Sequence, residues 1–199
     1  MRTRDSIKHT ALRLFNRSGI QGVTLRDVAA KLKKSYGNIT YHFPNKEALV
    51  EELYRDMLAE LDEISADMQV QNDLLSAILK APELTFDLSV KYIFLFKDYI
   101  EIRRTFPELS KKIDLSNAMR KEALIGVLRF LKAQEVLRED LNDDDLNYIM
   151  ELSGAMRTMF FIQADPTAKP NAAMRKTYVH YVNNLLKPYL TDPGLMNQS

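Results

Sequence analysis

The sequence predicts an all-α protein, in which a small N-terminal domain of three helices precedes a larger helical domain. Apolar residues recur every three or four positions in most segments, which is the spacing of one helix face. Beyond residue 70 there is no alternation of apolar and polar residues, and only three glycines follow that point. Capping residues also stand directly before several of the apolar runs.

Composition narrows the class of protein further. The chain has 199 residues, of which 46% are hydrophobic and 28% charged, as in ordinary soluble domains. The longest tight apolar run, residues 92–96, is far shorter than the roughly 18 residues of a membrane span, and the N-terminus lacks a signal-peptide pattern. We therefore expect a cytoplasmic protein without membrane contact. With no cysteine and three histidines, we expect no metal, cofactor or thiolate chemistry.

Charge is distributed unevenly along the chain. Residues 1–50 hold ten Lys/Arg against three Asp/Glu, a net charge of +7, whereas the remainder carries −6. A basic N-terminal module joined to an acidic body is typical of a chain whose first fifty residues bind a polyanion. Chance clustering of charge on solvated faces explains the same asymmetry equally well.

Two helices are predicted before residue 34. Gly19 follows the first helix as a left-handed C-cap residue. The Thr24 hydroxyl caps the second helix while Asp27 reaches back to the cap amide. The apolar face of the first helix consists of Ile7, Ala11, Leu14 and Phe15.

A third helix and a long fourth helix follow closely. Ser35 caps a short helix that runs to about Phe43, and Pro44 ends it. Asn45 then caps a long amphipathic helix. The short turn between the second and third helices is typical of a helix-turn-helix unit. The apolar stripe of the fourth helix is Leu49, Leu53, Met57, Leu61, Ile64 and Met68.

The third helix has a polar face suited to a DNA groove. If Ile39 and Phe43 face the core, the helical rotation of about 100° per residue directs the polar residues outward. Their amides and hydroxyls can bind base edges and phosphates in a major groove, and a glycine permits close approach. Tyr36 projects from the helix tip as a further contact. The outward residues are Gly37, Asn38, Thr40 and Tyr41.

The stretch "ALRLFNRSGIQGVTLRDVAAKLKKSYGNITYHFPNKEAL", residues 11–49, resembles the N-terminal DNA-binding domain of TetR-family transcriptional regulators. The resemblance implies an all-helical homodimer with a DNA-binding domain at residues 1–48 and a ligand-binding and dimerisation domain at 49–199, joined by a linker helix over about 46–69. The matching positions are Ala11, Leu14, Phe15, Gly19, Val23, Thr24, Asp27, Val28, Ala29, Leu32, Ser35, Gly37, Ile39, His42, Phe43, Lys46 and Leu49.

The resemblance also implies DNA contacts, with Lys46 gripping a phosphate beside a helix N-terminus. Two departures from the family pattern stand out. Lys33 and Lys34 replace a glycine and an aliphatic residue, which adds charge but strains a turn that often needs a left-handed residue. Thr40 replaces a tyrosine, for which Tyr41 can substitute. The predicted contacts are Thr24, Arg26, Lys34, Ser35, Tyr36, Gly37, Asn38, Thr40, Tyr41, His42 and Lys46.

The C-terminal body is predicted to contain about five further helices, separated at prolines. Asn142 is interpreted as the N-cap of a helix, and the acidic residues in the first turn of that helix complement its dipole. A metal site at the same acidic residues, Asp143, Asp144 and Asp145, is the alternative. The separating prolines are Pro82, Pro107, Pro166 and Pro170.

Aromatic residues in the body suggest an inducer cavity, although at helical spacing they also suit a plain core. The segment Ser89 to Ile113 resembles part of the C-terminal domain of some TetR-like regulators. The candidate ligand-binding residues are Tyr92, Phe96, Tyr99, Met119 and Phe130.

The last two long helices carry apolar stripes that can close the monomer core or pair with a second chain. We favour a homodimer through these two helices, because the family resemblance implies a dimer and because helix-turn-helix dimers read two half-sites. The stripes are Leu146, Ile149, Met150, Met156 and Phe160 in one helix and Met174, Tyr178, Val182, Leu185 and Tyr189 in the other.

Together these features predict a sequence-specific DNA-binding transcriptional regulator, a repressor released from a palindromic operator by a small-molecule inducer. Two alternatives belong to other classes. A structural or cell-division factor can use the same fold to bind DNA without controlling transcription. A helical enzyme is the other, but the sequence has no His-based metal motif, glycine-rich phosphate loop or nucleophile elbow.

Overall fold

The computed structural model describes residues 3–69, 73–164 and 170–191. Within these residues the chain forms ten α-helices, and the one β-type pairing is an isolated antiparallel bridge between Leu137 and Leu190. The all-α class predicted from the sequence is therefore confirmed.

The helices have the following bounds. They are α1 (Thr3–Ser18), α2 (Leu25–Leu32), α3 (Tyr36–His42), α4 (Lys46–Gln69), α5 (Leu74–Lys91), α6 (Phe94–Lys97), α7 (Tyr99–Thr105), α8 (Pro107–Ala133), α9 (Asp143–Gln163) and α10 (Ala172–Asn184), followed by a 3-10 turn at Lys187–Tyr189.

The predicted caps set the limits of the first four helices. Gly19 has a φ of 70° directly after α1, in the left-handed region that ends a helix. The side chains of Thr24 and Ser35 cap α2 and α3. The amide of Ala48 donates to Asn45 Oδ1 at 2.8 Å at the start of α4. These local predictions are confirmed.

The chain divides into two compact units. The first contains Met1–Asp62 and Lys91–Ile113, and the second contains Glu63–Val90 and Asp114–Ser199. The domain boundary between residues 48 and 49 stays a prediction. In the first unit the core gathers large apolar side chains from α1 to α4 and from α6 to α8, among them Ile7, Phe15, Ile39, Phe43, Leu53, Phe94, Ile102 and Leu109.

The core of the second unit has an aliphatic part and an aromatic part. In the aromatic part, Phe86 of α5 lies 5.9 Å from Phe161 and 5.6 Å from Tyr178, measured between ring centroids. The aliphatic part joins α5, α8 and α9 to the end of the described chain through Leu75, Ile125, Leu128, Leu131, Leu137, Leu141, Leu146, Ile149, Leu186 and Leu190.

Part of the stripes predicted for a dimer interface packs within one chain. The side chains of Leu146, Ile149, Tyr178 and Val182 are at most 6% exposed in the single chain. These four side chains therefore close the core of their own unit and are not available to a second chain, while the other six residues of the two stripes are half-buried. The dimer interface through α9 and α10 stays a prediction. The Met68 side chain, assigned to the α4 stripe, lies outside the described residues.

Three of the predicted helix breaks are tested by the structure. Pro170 lies outside the helices, directly before Asn171, the N-cap of α10, as predicted. Pro107 begins α8, as predicted. Pro82 lies inside α5, so the break expected there was wrong. A proline inside a helix costs one backbone hydrogen bond, and the packing of the buried Pro82 side chain offsets that loss. The described residues after residue 70 form six helices instead of about five, while Pro166 lies outside them.

The acidic turn at residues 142–145 is a helix cap. Asn142 accepts hydrogen bonds from the amides of Asp144 and Asp145, and Asp145 accepts one from the amide of Asn142. Asp143 forms an ion pair with Arg129 at 3.1 Å, and this arginine lowers the pKa of the Asp143 carboxyl. The capping interpretation is therefore confirmed.

Candidate nucleic-acid interface

Helix α2 begins with a closed capping box. The Asp27 amide donates to Thr24 Oγ1 at 3.2 Å, and the Thr24 amide donates to Asp27 Oδ2 at 2.7 Å. The Thr24 hydroxyl donates to the same carboxylate oxygen at 2.7 Å. The two bonds that the Thr24 hydroxyl and amide donate lower the pKa of the Asp27 carboxyl. Thr24, a predicted DNA contact, thus already uses its hydroxyl to shape the helix N-terminus.

The turn between α2 and α3 has the left-handed residue that the sequence indicated. Lys33 has φ 54° and ψ 41°, a conformation that costs a residue with a Cβ roughly 1–2 kcal/mol. The Lys34 amide donates to the carbonyl of Ala29 at 3.0 Å and closes the turn. Both Lys34 and Ser35 are exposed. The strain expected from the loss of the family's glycine is therefore present.

Helix α3 is fixed by a cap and two buried side chains. Ser35 Oγ accepts a hydrogen bond from the Asn38 amide at 3.2 Å. Ile39 is fully buried and Phe43 is 1% exposed. Since these two residues face inward, as predicted, the opposite side of this two-turn helix faces solvent.

The outward face of α3 carries large exposed aromatic groups. Tyr41 is 84% exposed and Tyr36 is 47% exposed, although tyrosine is usually more deeply buried. Nothing lies within 4 Å of the position where a side chain on Gly37 would begin. The guanidinium of Arg26 lies 5.3 Å from the centre of the Tyr36 ring. The structure therefore brings two predicted contacts from different helices together.

The remaining predicted contact residues of α3 are less accessible to DNA than the two tyrosines. The Thr40 hydroxyl donates to the carbonyls of Tyr36 and Gly37, each at 3.3 Å, which directs it toward its own helix. Asn38 is half-buried, and its Oδ1 atom is enclosed without a hydrogen-bond partner among the described residues. The ring of His42 meets that of Tyr41 edge-on at 5.2 Å. The exposed tyrosines are thus the most accessible groups on this face.

Lys46 contacts the protein backbone. Its Nζ donates to the carbonyl of Ile20 at 2.7 Å and to that of Val23 at 3.2 Å. An ammonium has three N–H donors, so two are already used in holding the turn between α1 and α2. The predicted contact of Lys46 with a DNA phosphate stays a prediction. The structure adds a role that the sequence did not indicate, which is to position the turn between α1 and α2.

A second side chain, from far along the sequence, holds the same turn. Asp98, between α6 and α7, accepts a hydrogen bond from the Ile20 amide at 2.7 Å. Burial raises the pKa of the Asp98 carboxyl, although the bond from Ile20 acts in the opposite direction. Helix α7 adds Glu101, which accepts a hydrogen bond from the Gln21 side chain. These contacts fix the segment that leads into α2.

The C-terminal end of α1 is joined to the end of α5 and the start of α6. Asn16 Nδ2 donates to the Lys91 carbonyl at 2.8 Å, and Asn16 Oδ1 accepts from the Phe94 amide at 3.2 Å. The rings of Phe15 and Phe94 lie 5.3 Å apart. Sequence reasoning missed Asn16 and Asp98, because bonds across more than seventy residues leave no local pattern.

Three of the predicted ligand-binding residues lie in the first unit. Tyr92 is 2% exposed, and its hydroxyl donates to Glu60 at 2.7 Å. Burial raises the pKa of the Tyr92 phenol, so it stays protonated. Tyr99 is half-buried and accepts a hydrogen bond from Arg103 at 3.1 Å, while Phe96 is half-buried as well. The polar partner expected for Tyr92 is therefore a residue of the chain itself.

The other two predicted ligand-binding residues are on the surface. Met119 is 67% exposed and Phe130 is 54% exposed, both on α8 in the second unit. The described residues do not enclose either side chain, which contradicts their assignment to a cavity within one chain. Their helical spacing suits an exposed face as well as a buried one, and spacing alone does not distinguish the two.

Two negative findings concern the described part of the chain. Over residues 3–69, 73–164 and 170–191, no helix is both long and apolar enough to cross a membrane. Over the same ranges, no group of three or more histidine or acidic side chains is placed to hold a metal ion.

Family models match almost the whole chain. Residues 7–53 match the model described as "Bacterial regulatory proteins, tetR family". Residues 47–197 match a second model of the same family, described as "Bacterial transcriptional repressor". The second match alone covers more than half of the chain.

Individual relatives agree with the family models. The negative transcriptional regulator IcaR of the Staphylococcus aureus biofilm operon icaADBC is 27% identical over 126 residues, which is 60% of this chain and 66% of that protein. The chain thus matches slightly less than two thirds of the length of this relative.

Solved structures share the fold. A TetR-family regulator from Marinobacter aquaeolei has a TM-score of 0.80 at 24% identity, over 97% of this chain and 93% of that one. The ketosteroid regulator KstR2 of Mycobacterium tuberculosis has a TM-score of 0.76 at 18% identity, over 96% of both chains. At these identities the likeness concerns the fold.

Proposed function

This chain belongs to the TetR family of bacterial regulatory proteins, and on that premise we propose that it is a transcriptional repressor. It binds a palindromic operator as a homodimer and is released by a small-molecule inducer. IcaR, a relative of the chain, is a negative regulator by its name, which supports repression. Binding to an operator also supports the cytoplasmic location expected from the sequence.

The observation that carries this proposal is the exposed aromatic face of α3. A two-turn helix that leaves Tyr41 84% exposed, with an open Gly37 beside it, presents groups that gain little from folding. Such groups are suited to contact with a surface outside the protein. In a major groove, the tyrosine hydroxyls donate to phosphates or base edges while the glycine allows the helix to approach closely.

We keep the predicted contact set, with roles adjusted to the geometry. Arg26 stacks on Tyr36 and presents its charge next to α3. Lys34 and Ser35 are exposed at the entrance to α3, and His42 supports the Tyr41 ring. For Thr24, Thr40 and Lys46 we expect indirect roles, because their polar atoms already bind the protein. Asn38 completes the set as a half-buried contact.

The dimer interface is proposed on the outer faces of α9 and α10. Tyr148, Met159 and Ile162 are 58%, 44% and 39% exposed on α9, and their spacings of eleven and three residues place them on one side of the helix. Tyr181 of α10 is 48% exposed. These residues replace the stripes predicted from the sequence, while the two helices stay the same.

Release of the operator is proposed to occur by population shift. A ligand that binds better to a form with the wrong spacing of recognition helices lowers operator affinity by that difference in affinity. Of the residues predicted to line an inducer site, Phe96 and Tyr99 are half-buried, and we keep them as proposed contacts.

Selection of bound sequences from a random DNA pool, at a stated salt concentration near physiological, tests this function. We expect recovery of a palindromic site with two half-sites. Salt-sensitive binding without any preferred sequence would overturn the proposal and favour the structural DNA-binding factor, since phosphate contacts alone carry no sequence information. Turnover of a small molecule by the purified protein would instead favour the alternative that the protein is a helical enzyme.

A further inference from the structure

A small pocket lies between α1 and α2, apart from the face of α3. It has a volume of about 210 Å³ and is lined by Thr10, Arg13, Leu14, Arg17 and Lys31. None of these residues belongs to the predicted DNA contacts. The lining consists of three cationic side chains, one hydroxyl and one apolar side chain.

The three cations of this pocket are not neutralised. Among the described residues, the side chains of Arg13, Arg17 and Lys31 have no ion pair or hydrogen bond. Arg13 and Arg17 are four residues apart on α1, where like charges repel and destabilise the helix slightly. By contrast, Arg4 and Lys8 on another side of α1 pair with Glu52 and Asp56 of α4.

The pocket and the DNA-reading face lie on different sides of α2. Arg26, which stacks on Tyr36 of α3, and Lys31, which lines the pocket, are five residues apart. Five residues correspond to a rotation of about 140° around a helix. An anion in this pocket therefore does not occupy the position of the DNA that α3 reads.

We propose that this pocket binds a phosphate group. Guanidinium groups bind phosphate through paired N–H donors, and an ammonium adds a point charge. Thr10 can supply a hydroxyl donor, while Leu14 forms an apolar wall. The phosphate belongs either to a free phosphorylated compound or to the DNA backbone beyond the site that α3 reads.

Calorimetric titration of the full chain with inorganic phosphate, against chloride at equal ionic strength, tests the site without DNA. We expect saturable binding to the wild type and about tenfold weaker binding to Arg17→Gln and to Lys31→Gln, because each removes a charge-assisted hydrogen bond. Lys80→Gln, which removes an exposed cation of α5, is the matched control and is expected to bind as the wild type does.

Absence of saturable binding to the wild type would overturn the inference, as would equal weakening in Arg17→Gln and Lys80→Gln. Thermal unfolding shows whether each variant is folded, and the substituted side chains are all exposed. Since the probe is phosphate, this outcome is independent of whether the protein recognises an operator.

A DNA titration distinguishes the two sources of phosphate. If Lys31→Gln reduces the magnitude of the salt slope of DNA binding by about one, the pocket binds the DNA backbone. If the slope is unchanged while phosphate binding is weakened, the pocket binds a free phosphorylated compound. Both outcomes support the phosphate site.

Discussion

Lys33 has a backbone conformation that suits glycine better than lysine. Its φ of 54° lies in the left-handed region, and it is the C-cap of α2 directly before the recognition helix. Two backbone hydrogen bonds hold it there: the Lys33 amide donates to the Ala30 carbonyl, and the Lys34 amide donates to the Ala29 carbonyl. The turn therefore contains local strain that the surrounding hydrogen bonds offset.

Replacing Lys33 with glycine should stabilise the protein. We expect Lys33→Gly to raise the free energy of unfolding by about 0.5–1 kcal/mol, since relief of the left-handed strain exceeds the added entropy of the unfolded chain. Urea unfolding measures the change. Lys34→Gly is the control, because Lys34 has no positive φ and should lose stability instead. Stabilisation by both variants would contradict the explanation.

Lys46 allows a positioning role to be separated from a phosphate contact. We expect Lys46→Met to lower the free energy of unfolding by about 1–3 kcal/mol, because the carbonyls of Ile20 and Val23 lose a charged donor. The salt slope of DNA binding should stay as in the wild type. A slope smaller by about one, with stability unchanged, would instead show that Lys46 binds a phosphate.

At the residue scale, the sequence predicts what depends on near neighbours. The caps at Thr24, Ser35 and Asn142 were predictable, because each side chain bonds an amide two or three positions away. The contact of Lys46 with Ile20 was not, since it spans 26 residues. Nothing in the local pattern indicates where a long flexible side chain ends.

At the scale of elements, the segment from Lys91 to Thr105 is joined to the end of α1. Asp98 is the central link, since it binds the Ile20 amide and lies 3.3 Å from where a Cβ on Gly19 would be. Its carboxyl is half-buried without an ion pair among the described residues. Burial therefore raises the pKa of Asp98 above its usual 3.8.

This raised pKa predicts a pH-dependent effect on stability. Because the pKa of Asp98 is higher in the folded state than in the unfolded state, the folded protein binds the proton more tightly. The contribution of Asp98 to stability is therefore most favourable below pH 3.8 and declines as the pH rises through the folded pKa.

Asp98→Asn keeps an acceptor oxygen for the Ile20 amide without the buried charge. We expect the stability of this variant, relative to the wild type, to increase as the pH rises from below 3.8 to neutral. Asp98→Leu should lose about 1–3 kcal/mol, because the Ile20 amide is left unpaired. Unfolding curves across this pH range measure both, and a relative stability of Asp98→Asn that falls with rising pH would contradict the explanation.

The elements of the C-terminal part were only partly predictable. The start of α8 at Pro107 follows from the preference of proline for the first helical turn, whereas Pro82 remains inside α5 because it is packed in the core. Met119 and Phe130 were expected to be enclosed and are exposed. Which side of a long helix is covered depends on tertiary packing, and an amphipathic pattern with two apolar sides does not determine it.

At the scale of the whole molecule, the proposed dimer makes operator binding depend on the outer face of α9. We expect the double variant Met159→Asp and Ile162→Asp to be monomeric in sedimentation equilibrium. Its operator affinity should fall by about a hundredfold or more, since the second half-site no longer binds intramolecularly. Leu84→Asp, at an exposed leucine of α5, is the control and should remain dimeric. A dimeric double variant would place the interface elsewhere.

The central claim is that the outward face of α3 reads DNA sequence. The ratio of affinities for the selected operator and for a scrambled duplex, measured at one salt concentration, tests it most directly in Tyr41→Ala. Tyr41 is 84% exposed, so its removal leaves the core intact, and His9→Ala on the exposed side of α1 is the control.

We expect the ratio for Tyr41→Ala to fall by roughly five- to a hundredfold, corresponding to about 1–3 kcal/mol, while its affinity for scrambled DNA and the ratio for His9→Ala stay near the wild-type values. An equal loss of affinity for both duplexes in Tyr41→Ala would contradict the claim, because it would show that this face only grips the DNA backbone.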